Sequence, residues 1–523
     1  MVYIGKIEKK LIKNKIEVFI ILLSLFIFSV NILDFPIHVE FGIQGYIAQE
    51  LLRGSPIYST SVFCYPPIVY LLNALWMKLF FFLPNYLAIR IGGAILGSIT
   101  VLLAYKVFDK ITKNKLISFF SVIIILSFTI LIEFFLNTSV KTALVFFMLL
   151  MYLVLFKGHY LISGVLTSLC FLSWQIGGVF FLGPISYYIL NKEKKKNYIK
   201  FFVGLAIPLI FVGLYFLFNK LLDTFIIYTF SYAMLFKKEI DWMSNAAFMY
   251  IRAWTAFNTT EVFFLLLGLI GSLFILFRLI RDNDKKEILS KNKELFSFVF
   301  PCLLLFLYLF IDFQAGEDMI PLIPAISLSG AFVLSKISKK IPAAIVLFLI
   351  MIYGFGPMFQ PIFPPNPLLI EAKSANNIND LLDIMSNYTF PEIVYYSLFR
   401  RLGHERTLDD QLKIAEYIKN NTNENDPIFS LDAAELLFLT GRRNIVKHPQ
   451  LSSGVYRIYA REEGIVEEMK NKITEGFPKF IVSWNVNTVE RGIKFLNIEE
   501  FISNKYEKVD LHPKYIIWKR LER

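Results

Sequence analysis

Cysteine is nearly absent from this chain, with three residues among 523. Cys64, Cys170 and Cys302 lie far apart, and two of them fall in apolar segments. This spacing excludes a disulfide framework and a cysteine-rich metal site. The chain also lacks an internal repeat and low-complexity segments.

Acidic residues are outnumbered by basic ones, and the net charge of +12 could suggest a nucleic-acid partner. Hydrophobic residues, however, make up 56% of the chain and aromatic residues 16%, with a mean hydropathy of +0.55. Lys and Arg fall in short clusters between apolar runs, as in the cytoplasmic loops of membrane proteins. The composition therefore predicts a polytopic α-helical membrane protein in a lipid bilayer, with no nucleic-acid partner.

Twelve apolar segments define the expected topology. They lie at about 16–33, 66–83, 87–108, 116–134, 140–156, 160–174, 176–190, 200–218, 261–280, 295–313, 319–335 and 342–357. The first lacks a small-residue cleavage site, so we interpret it as a retained helix rather than a signal peptide. If all twelve spanned the membrane, the basic loops would fall on inconsistent sides. A surface or re-entrant helix at 66–83 removes the conflict and leaves eleven spans.

This topology assigns each loop to the cytoplasmic or the external side of the membrane. The segments assigned to the cytoplasm carry about three times as many Lys and Arg residues as the external ones, as the positive-inside rule expects. The N-terminus is then cytoplasmic, whereas the first loop, residues 34–86, and the C-terminal tail are external. We expect the plasma membrane of a prokaryote as the location.

The sequence divides into three parts. Residues 1–357 form the transmembrane module, 358–406 a proline-rich connector, and 407–523 an external α/β domain. The elements predicted in this domain are a helix through Gln411, Ile414, Ala415 and Ile418, a strand Pro427–Leu431, a helix Ala433–Leu439 closed by Gly441, and strands Lys479–Trp484 and Tyr515–Lys519.

The first loop is a polar segment that interrupts the hydrophobic N-terminal half of the chain. Its helical pattern has an apolar face with Ile43, Tyr46, Ile47 and Leu51, and a polar face with Gln44, Gln49, Glu50 and Arg53. We expect this amphipathic helix to lie flat on the membrane. Pro66 and Pro67 then start a second helix, because proline is tolerated in a first turn.

Glu40 lies just before the amphipathic helix, at the lipid-water boundary. Partial desolvation makes a carboxylate there more basic, and substrates can reach it from both phases. A second role is open, since a carboxylate also stabilises a helix N-terminus electrostatically.

Three runs in this region carry a family resemblance: E-F-G-I-Q-G-Y-I-A-Q-E-L-L-R-G-S-P-I-Y from Glu40, Y-P-P-I-V-Y from Tyr65, and N-Y-L-A-I-R from Asn85. They resemble the first external loop of the GT-C glycosyltransferases, in the branch of protein O-mannosyltransferases and aminoarabinose transferases. Glu40 falls at the family's catalytic carboxylate, which is usually Asp. Phe41 stands where a second acid is common, and Tyr65 where Lys often precedes the two prolines.

Two later segments are similar to the same family. Gly164 to Gly178 resembles its broken helix pair, with Gln175 in a step that is frequently Lys-Gln. Asp312 to Pro324 resembles its late external turn, with Glu317 and Asp318 in place of a basic residue or histidine. The oligosaccharyltransferase signature W-W-D-x-G is absent, which argues against that branch.

The resemblance implies transfer of a sugar from a polyprenyl phosphate to an external acceptor, with inversion at the anomeric carbon. Glu40 would act as the base, and cations would stabilise the leaving lipid phosphate. The cationic candidates are Arg90, Lys141 and Arg252; for Arg90 and Lys141, snorkelling at a span end is an alternative. The acceptor, whether protein, lipid or glycan, stays open, as does a divalent metal, and no other cofactor is expected.

Supporting roles are assigned to His38, Tyr65, Asn137, Gln175, Glu317 and Asp318. His38 could orient Glu40 or bind metal, although a lone interfacial histidine is the default interpretation and no second His or Cys is near it in sequence. Asn137 lies on a turn where related enzymes often place an acid, which Glu133 could replace. The two acids of the late turn could hold a divalent ion, repel a wrong donor or form a hydrated turn.

Two other functions compete with a transferase. One is a transporter or flippase of lipid-linked glycans, and the other is a membrane-anchored binding protein. Transporters tend to carry polar groups at mid-membrane and repeated halves. This chain collects its polar residues on one face and has no repeat, which favours the transferase. A binding protein would leave the helical surface loop unexplained.

Overall fold

A computed structural model describes residues 2–30, 32–33, 35–61, 63–231, 268, 270–272, 292–309, 316–337, 407–449, 451, 464–484 and 492–521. These residues form two parts, a helical membrane module and a C-terminal domain with a four-stranded sheet. The predicted connector 358–406, the span 342–357, nearly all of the span 261–280 and the cation candidate Arg252 lie outside the described residues.

The membrane module is built from helices that the structure bounds as follows. They are α1 (Val2–Val30), α2 (Val39–Leu52), α3 (Ile68–Leu79), α4 (Asn85–Thr112), α5 (Lys115–Leu126), α6 (Thr129–Leu136), α7 (Val140–Leu155), α8 (Tyr160–Ser173), α9 (Leu182–Asn191), α10 (Lys195–Phe218), α11 (Leu222–Ile226), α12 (Lys293–Leu309) and α13 (Ile323–Ile337). Short 3₁₀ segments cover Gln175–Phe181 and Gly316–Leu322, and a π-helical turn covers Ile227–Ser231.

Three helices are long and apolar enough to cross a membrane: Asn85–Thr112, Lys195–Phe218 and Glu317–Leu334. A bent pair, Lys115–Leu126 with Ile130–Leu136, makes a fourth if it is one span. The topology of eleven spans stays a prediction. The predicted helix at 66–83 contains α3, whose 12 residues extend about 18 Å, short of a hydrocarbon core of about 30 Å; its surface or re-entrant position stays a prediction.

The segment predicted as one span at 116–134 is broken in the structure, and whether it forms one span stays a prediction. The structure ends α5 at Leu126, and α6 is bent from it by 74°. The Ser127 hydroxyl donates to the Ile124 carbonyl at 2.7 Å, and such a bond competes with the main-chain ladder of a helix. The chain then reaches α7 through a turn at Thr138, whose φ is +45°.

The C-terminal domain contains one mixed sheet. Its elements are α14 (Leu408–Asn420), β1 (Ile428–Ser430), α15 (Ala434–Thr440), α16 (Ile465–Gly476), β2 (Phe480–Ser483), α17 (Glu499–Lys505), β3 (Tyr506–Val509) and β4 (Ile516–Arg520). The strand order is β1-β2-β4-β3, with β1 and β2 parallel and the other two pairs antiparallel. A parallel pair requires a crossover connection, and α15 and α16 lie within it.

Most elements of this domain agree with the sequence pattern. The helix predicted through Gln411 is confirmed as α14, which starts with a capping box between Thr407 and Asp410. The helix predicted before Gly441 is confirmed as α15, which Gly441 ends with a φ of +67°. The three predicted strands are confirmed as β1, β2 and β4, whereas β3 is not foreseen.

Candidate active site

Glu40 lies in the first turn of α2 and is held from two directions. His38 forms the extended N-cap, and its carbonyl accepts a hydrogen bond from the Gly42 amide at 2.8 Å. The Gln44 side chain donates to Glu40 Oε1 at 3.2 Å, and the Tyr65 side chain lies near enough to lower the pKa of the same carboxylate. As a residue, Glu40 is partly exposed.

The surroundings make Glu40 a stronger base than an ordinary glutamate. Loss of hydration raises the pKa of its carboxyl, and the negative charges of Glu317 and Asp318 act in the same direction. The Lys141 ammonium and the Tyr65 side chain oppose this rise without cancelling it. Glu40 is therefore poised to take a proton.

Lys141 lies in the first turn of α7, which begins where Ser139 Oγ accepts a hydrogen bond from the Thr142 amide. Its ammonium is 3.0 Å from Asp318 Oδ1 and 3.7 Å from Glu317 Oε1. Only 3% of Lys141 is exposed. The start of α7 is thus joined to the 3₁₀ segment Gly316–Leu322 by a buried ion pair, which excludes simple snorkelling for Lys141.

The structure therefore brings four predicted residues into one cluster, Glu40, Lys141, Glu317 and Asp318. The rings of Phe134 and Trp174 lie 5.7 Å and 5.5 Å from the Lys141 ammonium, close enough for cation–π attraction. Three carboxylates face one ammonium here. The cluster can accept a proton at Glu40 and can present a cation, Lys141, to an anionic group.

A metal centre is not evident in the described part of the chain. Across those residues, no three or more His, Cys, Asp or Glu side chains are grouped so that they could hold a metal ion. Asp318 and Glu317 are instead engaged by Lys141.

Arg90 has a different environment from the one that we expect of a phosphate ligand. Its guanidinium donates to the Ile32 carbonyl at 2.6 Å and to the Phe35 carbonyl. The side chain is 1% exposed. Both terminal nitrogens of Arg90 thus bind the main chain that leads into the first loop, and we infer that Arg90 anchors this loop.

His38 and Asn137 meet at Glu133 rather than at Glu40. His38 Nε2 lies 2.6 Å from Glu133 Oε1, and the Asn137 side chain donates to the main-chain carbonyl of Glu133 at 2.9 Å. The first contact joins the start of α2 to α6, and the second closes the end of α6. Both residues therefore support the frame around the cluster.

Gln175 links the second half of the first loop to the helix bundle, whereas Tyr65 is bonded within that loop. The main-chain carbonyl of Tyr65 accepts a hydrogen bond from the Tyr58 hydroxyl. Gln175, at the break after α8, donates to the Cys64 carbonyl at 2.5 Å and to the Thr229 carbonyl at 2.7 Å. These bonds hold in place the segment of the first loop on which Tyr65 lies near Glu40.

The C-terminal domain covers the polar face of α2, which sequence reasoning missed. Helices α2 and α15 pack so closely that a Cβ on Gly42 would lie 2.4 Å from the Glu435 main chain. Glu50 is 2% exposed and pairs with Arg53 at 2.6 Å and with Arg443 at 3.5 Å. The amphipathic pattern of α2 thus belongs to a helix that lies between the bundle and a second protein layer. In the sequence, only the glycines Gly42 and Gly45 of α2 indicate that another helix packs closely against it.

A second contact of the domain lies at the π-helical turn. Tyr228 Oη and His448 Nε2 share a buried hydrogen bond of 3.1 Å. Burial lowers the pKa of His448 to about 4, so its ring is neutral at physiological pH. The domain therefore touches both the first loop and the turn that Gln175 also contacts.

Two sets of solved structures are similar to this chain over nearly its whole length. ArnT from Cupriavidus metallidurans, bound to undecaprenyl phosphate, matches 96% of this chain and 98% of its own, with 12% identity and a TM-score of 0.58. Its apo state matches with the same identity and TM-score. The archaeal oligosaccharyltransferase AglB from Archaeoglobus fulgidus, in complex with an inhibitory peptide and a dolichol-phosphate, matches 95% of this chain and 73% of its own, with 11% identity and a TM-score of 0.50.

Both neighbours belong to the GT-C superfamily. No protein-family model and no curated protein matches the sequence. At these identities the likeness is one of fold, and the site residues of this chain rest on its own geometry.

Proposed function

We propose that this chain, which has the GT-C fold, is a membrane glycosyltransferase that moves a sugar from a polyprenyl-phosphate donor to an acceptor. The observation that carries the proposal is the placement of Glu40, a partly exposed residue whose carboxyl has a raised pKa and lies near the Lys141 ammonium. The lipid phosphates in the ArnT and AglB structures support the class of donor.

The proposed reaction is a single displacement at the anomeric carbon. Glu40 takes the proton from an acceptor hydroxyl or amine as that group attacks the anomeric carbon. The bond between this carbon and the phosphate oxygen breaks, and the lipid phosphate leaves with the electron pair. Attack opposite the leaving group inverts the configuration.

Lys141 is the cation that we assign to the lipid phosphate. Negative charge grows on the phosphate as the bond breaks, and a preorganised ammonium stabilises that charge most in a site with little water. Asp318 holds the ammonium in place at 3.0 Å. Arg252 keeps its role as a second candidate from the sequence, and the sugar, the acceptor and the external side of the reaction are further parts of the proposal.

Replacement of the base gives the direct test. Glu40→Gln keeps the shape of the side chain but cannot accept the proton, so we expect transfer to fall by at least about 100-fold. The measurement is transfer of radiolabelled sugars from undecaprenyl phosphate by purified protein. Expression and the thermal unfolding temperature in detergent should stay at the wild-type level.

The matched control is Glu193→Gln. Glu193 is a carboxylate whose pKa is likewise influenced by a tyrosine, Tyr160, which donates to it at 2.6 Å, but it follows α9 and is not part of the cluster. Its replacement should leave transfer within about twofold of wild type. Full activity of Glu40→Gln would remove the proposed base, and movement of lipid across vesicles without transfer would support the flippase alternative.

A further inference from the structure

We propose that Gln411, in the C-terminal domain, is a positioning residue that holds Glu40 in its reactive place through the main chain of Ile37. This inference rests on the proposed role of Glu40 as the base. It gives the C-terminal domain a task in the reaction, although the domain itself need not touch the donor.

The contact between Gln411 and Ile37 is a closed pair of hydrogen bonds. The Ile37 amide donates to Gln411 Oε1 at 2.8 Å, and Gln411 Nε2 donates to the Ile37 carbonyl at 2.8 Å. Both residues are buried, with 2% of Ile37 and none of Gln411 exposed. Buried main-chain groups must find partners, and here one carboxamide satisfies the donor and the acceptor of the same residue.

Gln411 is itself held rigidly. Its Nε2 also donates to the Tyr515 hydroxyl at 3.2 Å, and that hydroxyl donates to Glu435 Oε1 at 2.8 Å. Tyr515 precedes β4 and Glu435 lies on α15, the helix that packs against α2. The carboxamide therefore has one orientation, which the sheet, α14 and α15 set together.

The position of Ile37 determines where α2 begins. Ile37 is followed by the N-cap His38 and, three residues on, by Glu40 in the first turn. A shift of Ile37 would rotate or translate this turn and move the Glu40 carboxylate away from Tyr65. Misplacement of a reacting group by about 1 Å can cost about 100-fold in rate.

The chain offers a matched control in the same interface. Gln49 is also a buried glutamine between α2 and the domain, and its Nε2 donates to the Phe438 carbonyl at 2.9 Å. It lies nine residues after Glu40, about 13 Å along the helix. The same chemical change at Gln49 therefore loosens the interface without touching the start of α2.

The experiment compares Gln411→Met with Gln49→Met in the full chain in lipid nanodiscs, using the undecaprenyl-phosphate sugar that wild-type protein transfers. We expect Gln411→Met to lower kcat at least about tenfold with the donor KM within twofold. In the pH profile of kcat, the acidic limb of Gln411→Met should lie at lower pH than that of wild type. The reason is that a loosened Glu40 regains water, so the pKa of Glu40 falls towards the ordinary value. Gln49→Met should keep kcat within about twofold.

A second variant and a second readout guard against simple unfolding. Gln411→Glu still accepts from the Ile37 amide but donates to the carbonyl only when protonated, so its activity relative to wild type should recover as the pH falls. Hydrogen exchange of the amides at 37–42, measured without donor, should increase in Gln411→Met and not in Gln49→Met. Equal kcat losses in the two Met variants, or a kcat unchanged by Gln411→Met, would overturn the positioning role.

The exchange readout also separates the two proposals. If wild-type protein transfers no sugar, the proposed function fails, and the exchange comparison still reports whether Gln411 orders the start of α2. If transfer is normal and the exchange at 37–42 is the same in both variants, the positioning role alone is wrong.

Discussion

Lys141 is the residue at which the charges of the cluster meet. It faces Asp318 and Glu317 directly and Glu40 at longer range. A lipid phosphate that approaches this ammonium must compete with the two acids of the 3₁₀ segment. Donor binding and the Lys141–Asp318 ion pair should therefore oppose each other.

This competition predicts opposite effects for two substitutions. Lys141→Met removes the ammonium and should weaken binding of undecaprenyl phosphate at least about tenfold, since a charge-assisted contact contributes about 1.5–3 kcal/mol. Asp318→Asn removes a competing charge and should tighten binding. The measurement is the dissociation constant of the detergent-solubilised protein for undecaprenyl phosphate.

A second lysine with a carboxylate partner serves as the control. Lys106 pairs with Glu17 at 3.1 Å, between α4 and α1, and Lys106→Met should leave the affinity for undecaprenyl phosphate unchanged. Equal affinities of Lys141→Met and wild type would assign the phosphate to another cation.

Single residues differed in how far the sequence could place them. The sequence singles out Glu40 by its place at the start of the amphipathic helix and by the family resemblance of that loop, and its role as the base stays a prediction. The contacts of Arg90 were not predictable, because its partners are the main-chain carbonyls of Ile32 and Phe35, and every residue has such a carbonyl. Contacts to main chain carry no sequence signal.

At the scale of elements, α8 and α10 pack in close contact. A Cβ on Gly204 would lie 2.0 Å from the Leu161 carbonyl oxygen, and one on Gly164 would lie 2.0 Å from that of Phe201. Membrane helices often associate through small residues because their backbones can then approach closely. The glycines of both helices are thus part of the packing.

This contact predicts that Gly204→Ala destabilises the protein. The added methyl meets main chain that cannot move freely, and such overpacking costs about 1–3 kcal/mol. Gly213, on the same helix, has nothing within 4 Å of its would-be Cβ, so Gly213→Ala should be neutral or stabilising by up to about 1 kcal/mol. Thermal unfolding in detergent measures both, and equal unfolding temperatures would contradict the close contact.

Elements whose apolar residues recur with a clear period were predictable from the sequence. Elements that form only because a neighbouring element pairs with them were not. α14 follows from its apolar spacing and its Thr407 cap. β3 was missed because Tyr506–Val509 is short, contains two charged residues and follows α17 without a turn signal. It forms a strand because β4 offers an edge with which it can pair.

At the scale of the whole molecule, the first loop lies between two layers of protein. The pattern of α2 predicts a helix at the membrane surface, yet its polar face meets α15, which lies almost 400 residues later in the chain. One sequence shows that a face is polar but not what covers it. The GT-C-like arrangement of bundle and domain thus encloses Glu40 more than the loop alone indicates.

The sidedness of the molecule gives the last prediction. If the proposed topology holds, Ser503 in the C-terminal domain is external and Lys110 at the end of α4 is cytoplasmic; both are exposed. In intact cells, a membrane-impermeant maleimide should label Ser503→Cys fully and Lys110→Cys only after permeabilisation. The background should be low, because Cys170 and Cys302 are buried and Cys64 is partly so. Labelling of both variants in intact cells, or of neither, would contradict the assignment of these two segments to opposite sides, and with it the proposed external position of Glu40.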